Sequence, residues 1–103
     1  MATYKISVES PKEGIVLYRV AFGDPAQNDQ IVRDAARALD DLPPAEGGLA
    51  LINGPASLPV AVLLGHRLSH RHGGVAVYDP KLGSYIVAVS HDPRWVVGSL
   101  VNL

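Results

Sequence analysis

The sequence contains no cysteine. A disulfide framework and a thiolate metal site are therefore both excluded, and the simplest setting is the reducing cytoplasm. The longest apolar stretch, LPVAVLLG, is far shorter than the roughly 20 residues that span a bilayer. The opening segment, MATYKISVES, lacks the long apolar run of a secretory signal peptide. We therefore expect a cytoplasmic protein with no membrane partner.

The sequence also lacks a surplus of charge of either sign. Its formal net charge is −1, and charged residues make up 18% of the 103 residues. Proteins that bind long nucleic acid by electrostatics usually carry a basic surplus, so we do not expect DNA as a partner. A local basic cluster nevertheless lies in the second half, where Arg67, Arg71, Lys81 and Arg94 accompany several histidines. Such a cluster suits a small, compact anion.

The first half of the chain predicts a hairpin followed by a helix. Apolar and polar residues alternate in TYKISVES, and IVLYRVAFG is rich in β-branched and aromatic residues, as in two antiparallel strands. In DPAQNDQIVRDAARALDDL the apolar residues recur every three or four positions, which is typical of an amphipathic helix. Pro43 and Pro44 end this helix.

The second half predicts a buried strand, a second helix and another hairpin. LALIN is continuously apolar, as expected of a central strand buried on both faces. A helix over 58–72 follows, with Ser57 as its N-cap. VAVYD and SYIVAVS form strands joined by PKLG. The order β-β-α-β-α-β-β predicts one α/β domain over 1–103, a small Rossmann-like mixed sheet with a parallel central pair.

The turn LINGPAS is the first candidate site. Ligands of open α/β sheets gather at the carboxyl ends of parallel strands, near helix N-termini. Gly54 permits close backbone approach, and the free N–H groups from Ala56 to Leu58, Ser57 among them, suit a phosphate. The alternative is that Gly54-Pro55 only makes the turn from strand to helix.

Three histidines within seven residues form the second candidate site. His66 and His70 are four residues apart, so they lie on one face of a helix, and His72 follows at the helix end. The alternative is structural, because imidazoles and guanidinium groups stabilise the negative end of a helix dipole. The pair also suits a metal, although no glutamate stands between the two histidines as in a zinc protease.

The hairpin turn DPKLG and the segment after it supply the remaining candidates. Asp79 is a good first residue of a type I turn, and it is also a carboxylate at the end of a strand. His91 leaves a strand beside polar neighbours, so we expect it to be exposed. Trp95 with Arg94 could stack on a base, but a lone Trp is more often a core residue or a dimer contact.

The segment from LINGPAS to VSH resembles the small CRISPR-associated ring nuclease family of type III systems. Four marks of that family occur here in order: a glycine-containing turn after the third strand, a His-rich helix end, the hairpin VAVYDPKLG and a later SH. VAVYDPKLG is the most specific, with nine consecutive matching positions. The family was first described as a manganese-dependent RNA deadenylase and is distantly related to Rossmann-like CRISPR sensor domains.

The resemblance implies roles for individual residues. His70 aligns with a catalytic histidine and Asp79 with a catalytic or metal-binding aspartate, so both are candidate ligands of Mn²⁺, with Mg²⁺ as the alternative. Lys81 stands where the family commonly has Arg, which keeps the charge but not the bidentate fork. His91 matches the histidine of SH after a shift of one residue. Asn53 and Gly54 fall in the ligand-binding turn, where a basic residue of the family is missing.

The remaining ligand-binding candidates come from the residues themselves: Ala56 and Ser57 in the turn, and Arg71 in the basic cluster. Phosphodiester cleavage needs a proton acceptor, a proton donor and neutralisation of the developing charge, which this residue set can supply.

The resemblance implies a metal-dependent phosphodiesterase that opens cyclic tetra-adenylate and so switches off antiviral signalling. Two alternatives remain: a manganese-dependent nuclease that trims adenylates from RNA 3′ ends, and a non-catalytic sensor of cyclic oligoadenylate. A ring of four adenylates has two-fold symmetry, and a 10.9 kDa chain is too small to enclose it. We therefore expect a homodimer that binds the ring or a short oligoadenylate, with further stacking so that binding and catalytic faces come from different subunits.

Overall fold

Residues 2–103 of the computed structural model form one six-stranded sheet with two helices. The elements are β1 (Tyr4–Lys12), β2 (Ile15–Phe22), α1 (Asn28–Asp40), β3 (Leu49–Asn53), α2 (Leu58–Ser69), β4 (Gly74–Asp79), β5 (Ser84–Ser90) and β6 (Leu100–Val101). The predicted α/β class and the order β-β-α-β-α-β-β are confirmed, and the C-terminal segment adds the short strand β6.

The strands stand in the sheet in the same order as in the chain. β2, β3 and β4 are parallel to one another, so the predicted central pair β3–β4 is present and β2 extends it. The flanking pairs β1–β2, β4–β5 and β5–β6 are antiparallel. The carboxyl ends of three parallel strands therefore meet at one edge of the sheet, and their amino ends meet at the opposite edge.

Both helices pack on the same face of the sheet. The buried side chains of α1 and α2 share one cluster with every second residue of β2 and β3. Their spacing is four residues: Ile31, Ala35 and Leu39 on α1; Val60, Leu64 and Leu68 on α2. The alternate strand residues form a second cluster on the other face, and Trp95 and Val101 of the C-terminal segment pack against it. LALIN is buried on both faces because it lies between these clusters.

Helix α2 ends three residues earlier than the sequence predicts, at Ser69 rather than residue 72. Residues 70–73 form turns and bends, and the side chain of His72 is buried at 4% exposure. Its Nδ1 donates to the Gly47 carbonyl at 2.8 Å, so its Nε2 accepts from the Tyr18 hydroxyl at 2.7 Å. Burial raises the pKa of that hydroxyl, and the charge of Arg71 partly offsets the effect. His72 therefore ties the end of α2 to β2 and to the linker before β3.

Asp34 fixes the start of β1 to α1. Its Oδ2 accepts from the Thr3 backbone N–H at 2.9 Å and from the Thr3 hydroxyl at 2.8 Å. Its Oδ1 accepts from the Gln30 amide at 2.9 Å. These donors, above all the Thr3 backbone N–H, favour the carboxylate and lower the pKa of Asp34 from its usual 3.8.

The lowered pKa of Asp34 predicts an acid-dependent contribution to stability. Because the folded pKa lies below the unfolded one, this contribution is present above pH 3.8 and is lost as the pH falls through the folded pKa. The free energy of unfolding of the wild type should therefore exceed that of Asp34→Asn at neutral pH, and the difference should shrink by about pH 3. Urea unfolding at the two pH values measures it, with Asp24→Asn on the exposed neighbouring loop as control. A difference that stays constant over this range would contradict the prediction.

Candidate functional site

The fold divides the nine predicted site residues between two opposite edges of the sheet. His70, Arg71 and His91 lie at the amino end of the parallel strands, because α2 and β5 both end there. The other six follow the carboxyl ends of β3 and β4: Asn53, Gly54, Ala56, Ser57, Asp79 and Lys81. β4 spans six residues between the edges, which corresponds to about 16 Å. We name these sets the amino-end group and the carboxyl-end group.

The hairpin turn presents Asp79 and Lys81 at the carboxyl end. Asp79 Oδ1 accepts from the backbone N–H of Lys81 at 2.8 Å and from that of Leu82 at 3.2 Å, as in an Asx turn. The Gly83 N–H donates to the Asp79 carbonyl at 2.8 Å, and Gly83 has a φ of 65°. Asp79 therefore stabilises the hairpin turn, which is one of the two roles that the sequence suggested for it. Its carboxylate lies half-buried at the end of β4, so it is also available as a functional group. Lys81 is exposed at the tip.

The turn after β3 brings a second set of groups to the same edge. Ser57 is the N-cap of α2, as predicted, and its Oγ accepts from the Val60 N–H at 3.3 Å. The Ser57 hydroxyl also donates to the Asn28 side-chain carbonyl at 2.8 Å. Gly54 has a φ of 136° and passes so close to Val20 that a Cβ would lie 1.9 Å from the Val20 carbonyl oxygen. The turn is therefore a constrained connection that exposes Gly54 and Ala56 at the edge of the sheet.

Asn53 makes a side-chain hydrogen bond that was not predicted from the sequence. Its Nδ2 donates to the hydroxyl of Tyr85 at 3.0 Å, and the Tyr85 ring packs edge-on against Tyr78 with centroids 5.1 Å apart. All three lie on the face of the sheet opposite the helices. Tyr78 and Tyr85 are direct cross-strand partners, so the paired positions in VAVYD and SYIVAVS carried a signal for this contact.

A hydrogen-bonded pair of imidazoles dominates the amino-end group. The Nε2 atoms of His66 and His70 are 3.4 Å apart, and the two rings are nearly perpendicular at 84°. Both side chains are exposed. One ring donates and the other accepts, so His66 restricts the orientation and tautomer of His70. The sequence predicted their common face and offered the pair as metal ligands, but it did not predict the contact between the two rings.

His91 and Arg71 complete the amino-end group. The backbone N–H of His91 donates to the Gly73 carbonyl at 2.7 Å, which places His91 beside the segment that follows α2. The Arg71 carbonyl accepts from the Gly47 N–H at 2.8 Å while its side chain stays exposed. His91 is exposed, as its sequence context predicts. Arg71 lies at the edge opposite the other ligand-binding candidates.

Arg94 and Trp95 belong to neither group. Arg94 forms an ion pair with Asp92, which lowers the pKa of that carboxyl and raises the pKa of the guanidinium. The guanidinium also lies over the Trp95 ring, 5.7 Å from its centroid. Trp95 packs on the second core cluster, as the core alternative predicted.

The predicted metal ligands do not meet in one chain. His70 belongs to the amino-end group and Asp79 to the carboxyl-end group, whereas metal–ligand bonds to N and O are about 2.0–2.2 Å long. Within residues 2–103, no three His, Cys, Asp or Glu side chains are grouped closely enough to hold a metal ion. His70 and Asp79 of the same chain therefore do not fit a shared manganese site.

Neither α1 nor α2, the helices described in residues 2–103, has the length and apolar character needed to cross a membrane.

A family comparison covers both groups of site residues. The model of a CRISPR-associated protein family (Cas_csx3) matches residues 35–102, about two thirds of the chain, and all nine candidates lie within the match. A search of curated proteins finds no match. The matched region runs from the middle of α1 to β6, so it includes β3 and β4, the two parallel strands whose ends carry the candidate residues. The chain therefore belongs to the CRISPR-associated protein family Cas_csx3.

Proposed function

We propose that the protein is a ring nuclease, a phosphodiesterase that opens cyclic tetra-adenylate and thereby ends signalling in type III CRISPR defence. The observation that carries the proposal is the family match over residues 35–102, which contains an exposed imidazole pair at one edge of the sheet and an aspartate–lysine turn at the other. These are the groups that phosphodiester cleavage requires. The sequence resemblance of VAVYDPKLG to ring nucleases supports the choice of substrate.

The two groups supply complementary parts of the reaction. In the proposed scheme, His70 takes the proton from a ribose 2′-OH, and the 2′ oxygen attacks the adjacent phosphorus. The bond from phosphorus to the 5′ oxygen breaks, the leaving oxygen takes a proton from a second histidine, and the product is a linear chain with a 2′,3′-cyclic phosphate. His91 is our candidate for that donor. Lys81 neutralises charge on the phosphate. Asp79 orients either Lys81, whose backbone N–H it already holds, or a histidine.

His66 has a positioning role in this scheme. Because its Nε2 lies 3.4 Å from that of His70, it holds the His70 ring through a hydrogen bond. The turn is exposed at Gly54 and Ala56, with Asn53 beside them, and its backbone is suited to the phosphate backbone of the ring. Arg71 offers a further positive charge at the other edge.

The scheme needs more than one chain. Asp79 and His70 of one chain are too far apart to act on the same phosphodiester, so we propose a homodimer, whose two-fold symmetry matches that of the ring. No step of the scheme uses a metal. The resemblance implies a dependence on Mn²⁺. Comparing the rate of ring opening with Mn²⁺ and with EDTA measures that dependence.

The proposal predicts rapid loss of cyclic tetra-adenylate when it is incubated with the purified protein. Parallel reactions contain the ring or linear oligoadenylate, each with Mn²⁺ and with EDTA, and chromatography resolves ring, linear chain and mononucleotide. Conversion of the ring to linear product supports the proposal. Shortening of the linear substrate alone would instead indicate the deadenylating exonuclease, and an intact ring that remains bound would indicate the sensor.

A further inference from the structure

A pocket lies on the face of the sheet opposite the helices, near the amino ends of β2 and β3. It encloses about 330 Å³, and small-ligand sites usually enclose about 300–1,000 Å³. Its apolar lining includes three residues of the second core cluster or packed against it: Ile15, Trp95 and Val101. None of the nine candidate site residues, all of which the structure describes, contributes to the lining. We name it the Trp95 pocket.

A turn fixes an aromatic ring and a guanidinium together at this pocket. The Trp95 N–H donates to the Asp92 carbonyl at 2.9 Å, and the Asp92 carboxylate accepts from Arg94 Nε at 3.1 Å and from Nη2 at 2.7 Å. The guanidinium lies over the indole, 5.7 Å from the ring centroid. Asp92 itself does not line the pocket. Because a guanidinium has five N–H donors, the two on Nη1 are left for a ligand.

The charged residues of the lining favour an anionic ligand. Lys12 and Arg94 both line the pocket and both are exposed, whereas Glu13 is the one acidic residue among the described residues of the lining. Ammonium and guanidinium groups bind phosphate through charge-assisted hydrogen bonds, and Arg does so with two parallel bonds. A phosphate is therefore the anion that this pair of cations suits.

Two further donors at the pocket lack acceptors. Within residues 2–103, Trp95 Nε1 is the one buried side-chain nitrogen or oxygen that has no hydrogen-bond partner. Asn102 also lines the pocket, and its Oδ1 accepts from the Ser84 hydroxyl at 2.6 Å, which leaves Nδ2 to donate. Purine bases have acceptor nitrogens along their edges and stack on aromatic rings and guanidinium planes. A purine therefore matches both the donors and the flat groups of this pocket.

We infer that the Trp95 pocket binds a purine nucleotide, with the base against Trp95 and the phosphate on Lys12 and Arg94. The base supplies acceptors for Trp95 Nε1 and Asn102 Nδ2, which otherwise lack them. This site is separate from the groups that open the ring in the proposed function, since it shares no residue with them. The inference therefore goes beyond the proposed function and is tested without it.

The fluorescence of Trp95 measures this binding directly, because the chain has one tryptophan. Adenosine 5′-monophosphate (AMP) should quench it saturably as the base stacks on the ring. Adenosine lacks the phosphate and ribose 5-phosphate lacks the base, so each should compete with AMP about tenfold less well or worse. Absence of quenching by AMP, or adenosine that binds as tightly as AMP, would overturn the inference.

Arg94→Ala should weaken AMP binding by about tenfold, since it removes a charge-assisted contact to the phosphate. The side chain is exposed, so its loss leaves the core intact. The matched control is Arg33→Ala, which removes another exposed guanidinium from an ion pair, with Asp29 on α1. The control should bind AMP like the wild type. Equal affinities of the two variants for AMP would overturn the inference.

The indole N–H reports whether the base reaches its unpaired donor. One tryptophan gives one indole signal in a nitrogen–proton correlation spectrum, and AMP should shift that signal with the same affinity as it quenches fluorescence. An indole signal that does not move at saturating AMP would overturn the placement of the base. These titrations contain no cyclic tetra-adenylate. A protein that binds AMP but opens no ring would therefore refute the proposed function alone, and one that opens the ring without binding AMP would refute this inference alone.

Discussion

His70→Ala is expected to lower the rate of ring opening by about 10²–10⁴-fold, the usual contribution of a positioned general acid or base. The side chain is exposed at the C-cap of α2, so its removal creates no cavity in the core. Ring binding should be largely retained, because the candidate phosphate-binding turn at Gly54 lies at the opposite edge of the sheet. Single-turnover cleavage with excess protein, together with a binding measurement, separates the chemical step from affinity.

His66→Ala is the matched control for that experiment. It removes an imidazole one turn earlier, and with it the hydrogen bond of 3.4 Å that restricts His70. We expect a smaller loss of rate, because His70 keeps its place but not its fixed tautomer. If His70→Ala cleaved as fast as the wild type, the imidazole would have only the stabilising role of a cation at a helix C-terminus, which is typically about 0.3–1 kcal/mol.

The regular elements of the fold could be predicted because each has its own periodicity. The four-residue spacing of Ile31, Ala35 and Leu39 defines the buried side of α1 without any knowledge of its partners. The continuous apolar run LALIN identifies a strand covered on both faces, and such a strand belongs in the centre of a parallel sheet. Local patterns were sufficient for these elements.

The end of α2 could not be predicted in the same way. The helical pattern continues to residue 72, but the side chain of His72 is buried against Tyr18, which is 54 positions away in the sequence. Burial of a polar ring requires partners for both of its nitrogens. Those partners come from β2 and from the linker at Gly47, and no local signal in the sequence identifies them.

The division of the site into two groups follows from strand geometry. His70 and Asp79 are only nine positions apart in the sequence, and their closeness suggests one site. The intervening strand β4 is extended, however, and carries Asp79 to the opposite edge of the sheet. Residue types and spacing thus identified His70 and Asp79 as candidates. The direction of β4 determines that these two side chains do not meet within one chain.

Gly54→Ala is expected to lower the free energy of unfolding by about 2–6 kcal/mol, the sum of backbone strain and overpacking. The φ of 136° at Gly54 is one that residues with a Cβ rarely adopt. The added Cβ would also lie 1.9 Å from the Val20 carbonyl oxygen, so the turn has to move away from β2. Gly54 is exposed, and exposure alone would suggest a tolerant position.

Gly83→Ala separates the two causes of that destabilisation. Gly83 also has a positive φ, 65°, but a Cβ there would meet no atom within 4 Å. The substitution should therefore cost only the left-handed backbone conformation, about 1–2 kcal/mol. Urea unfolding of the two variants beside the wild type measures both values. Equal losses would mean that the close approach of Gly54 to Val20 adds nothing; a larger loss for Gly54→Ala would establish that this turn is held rigidly against β2, as a preorganised phosphate-binding turn requires.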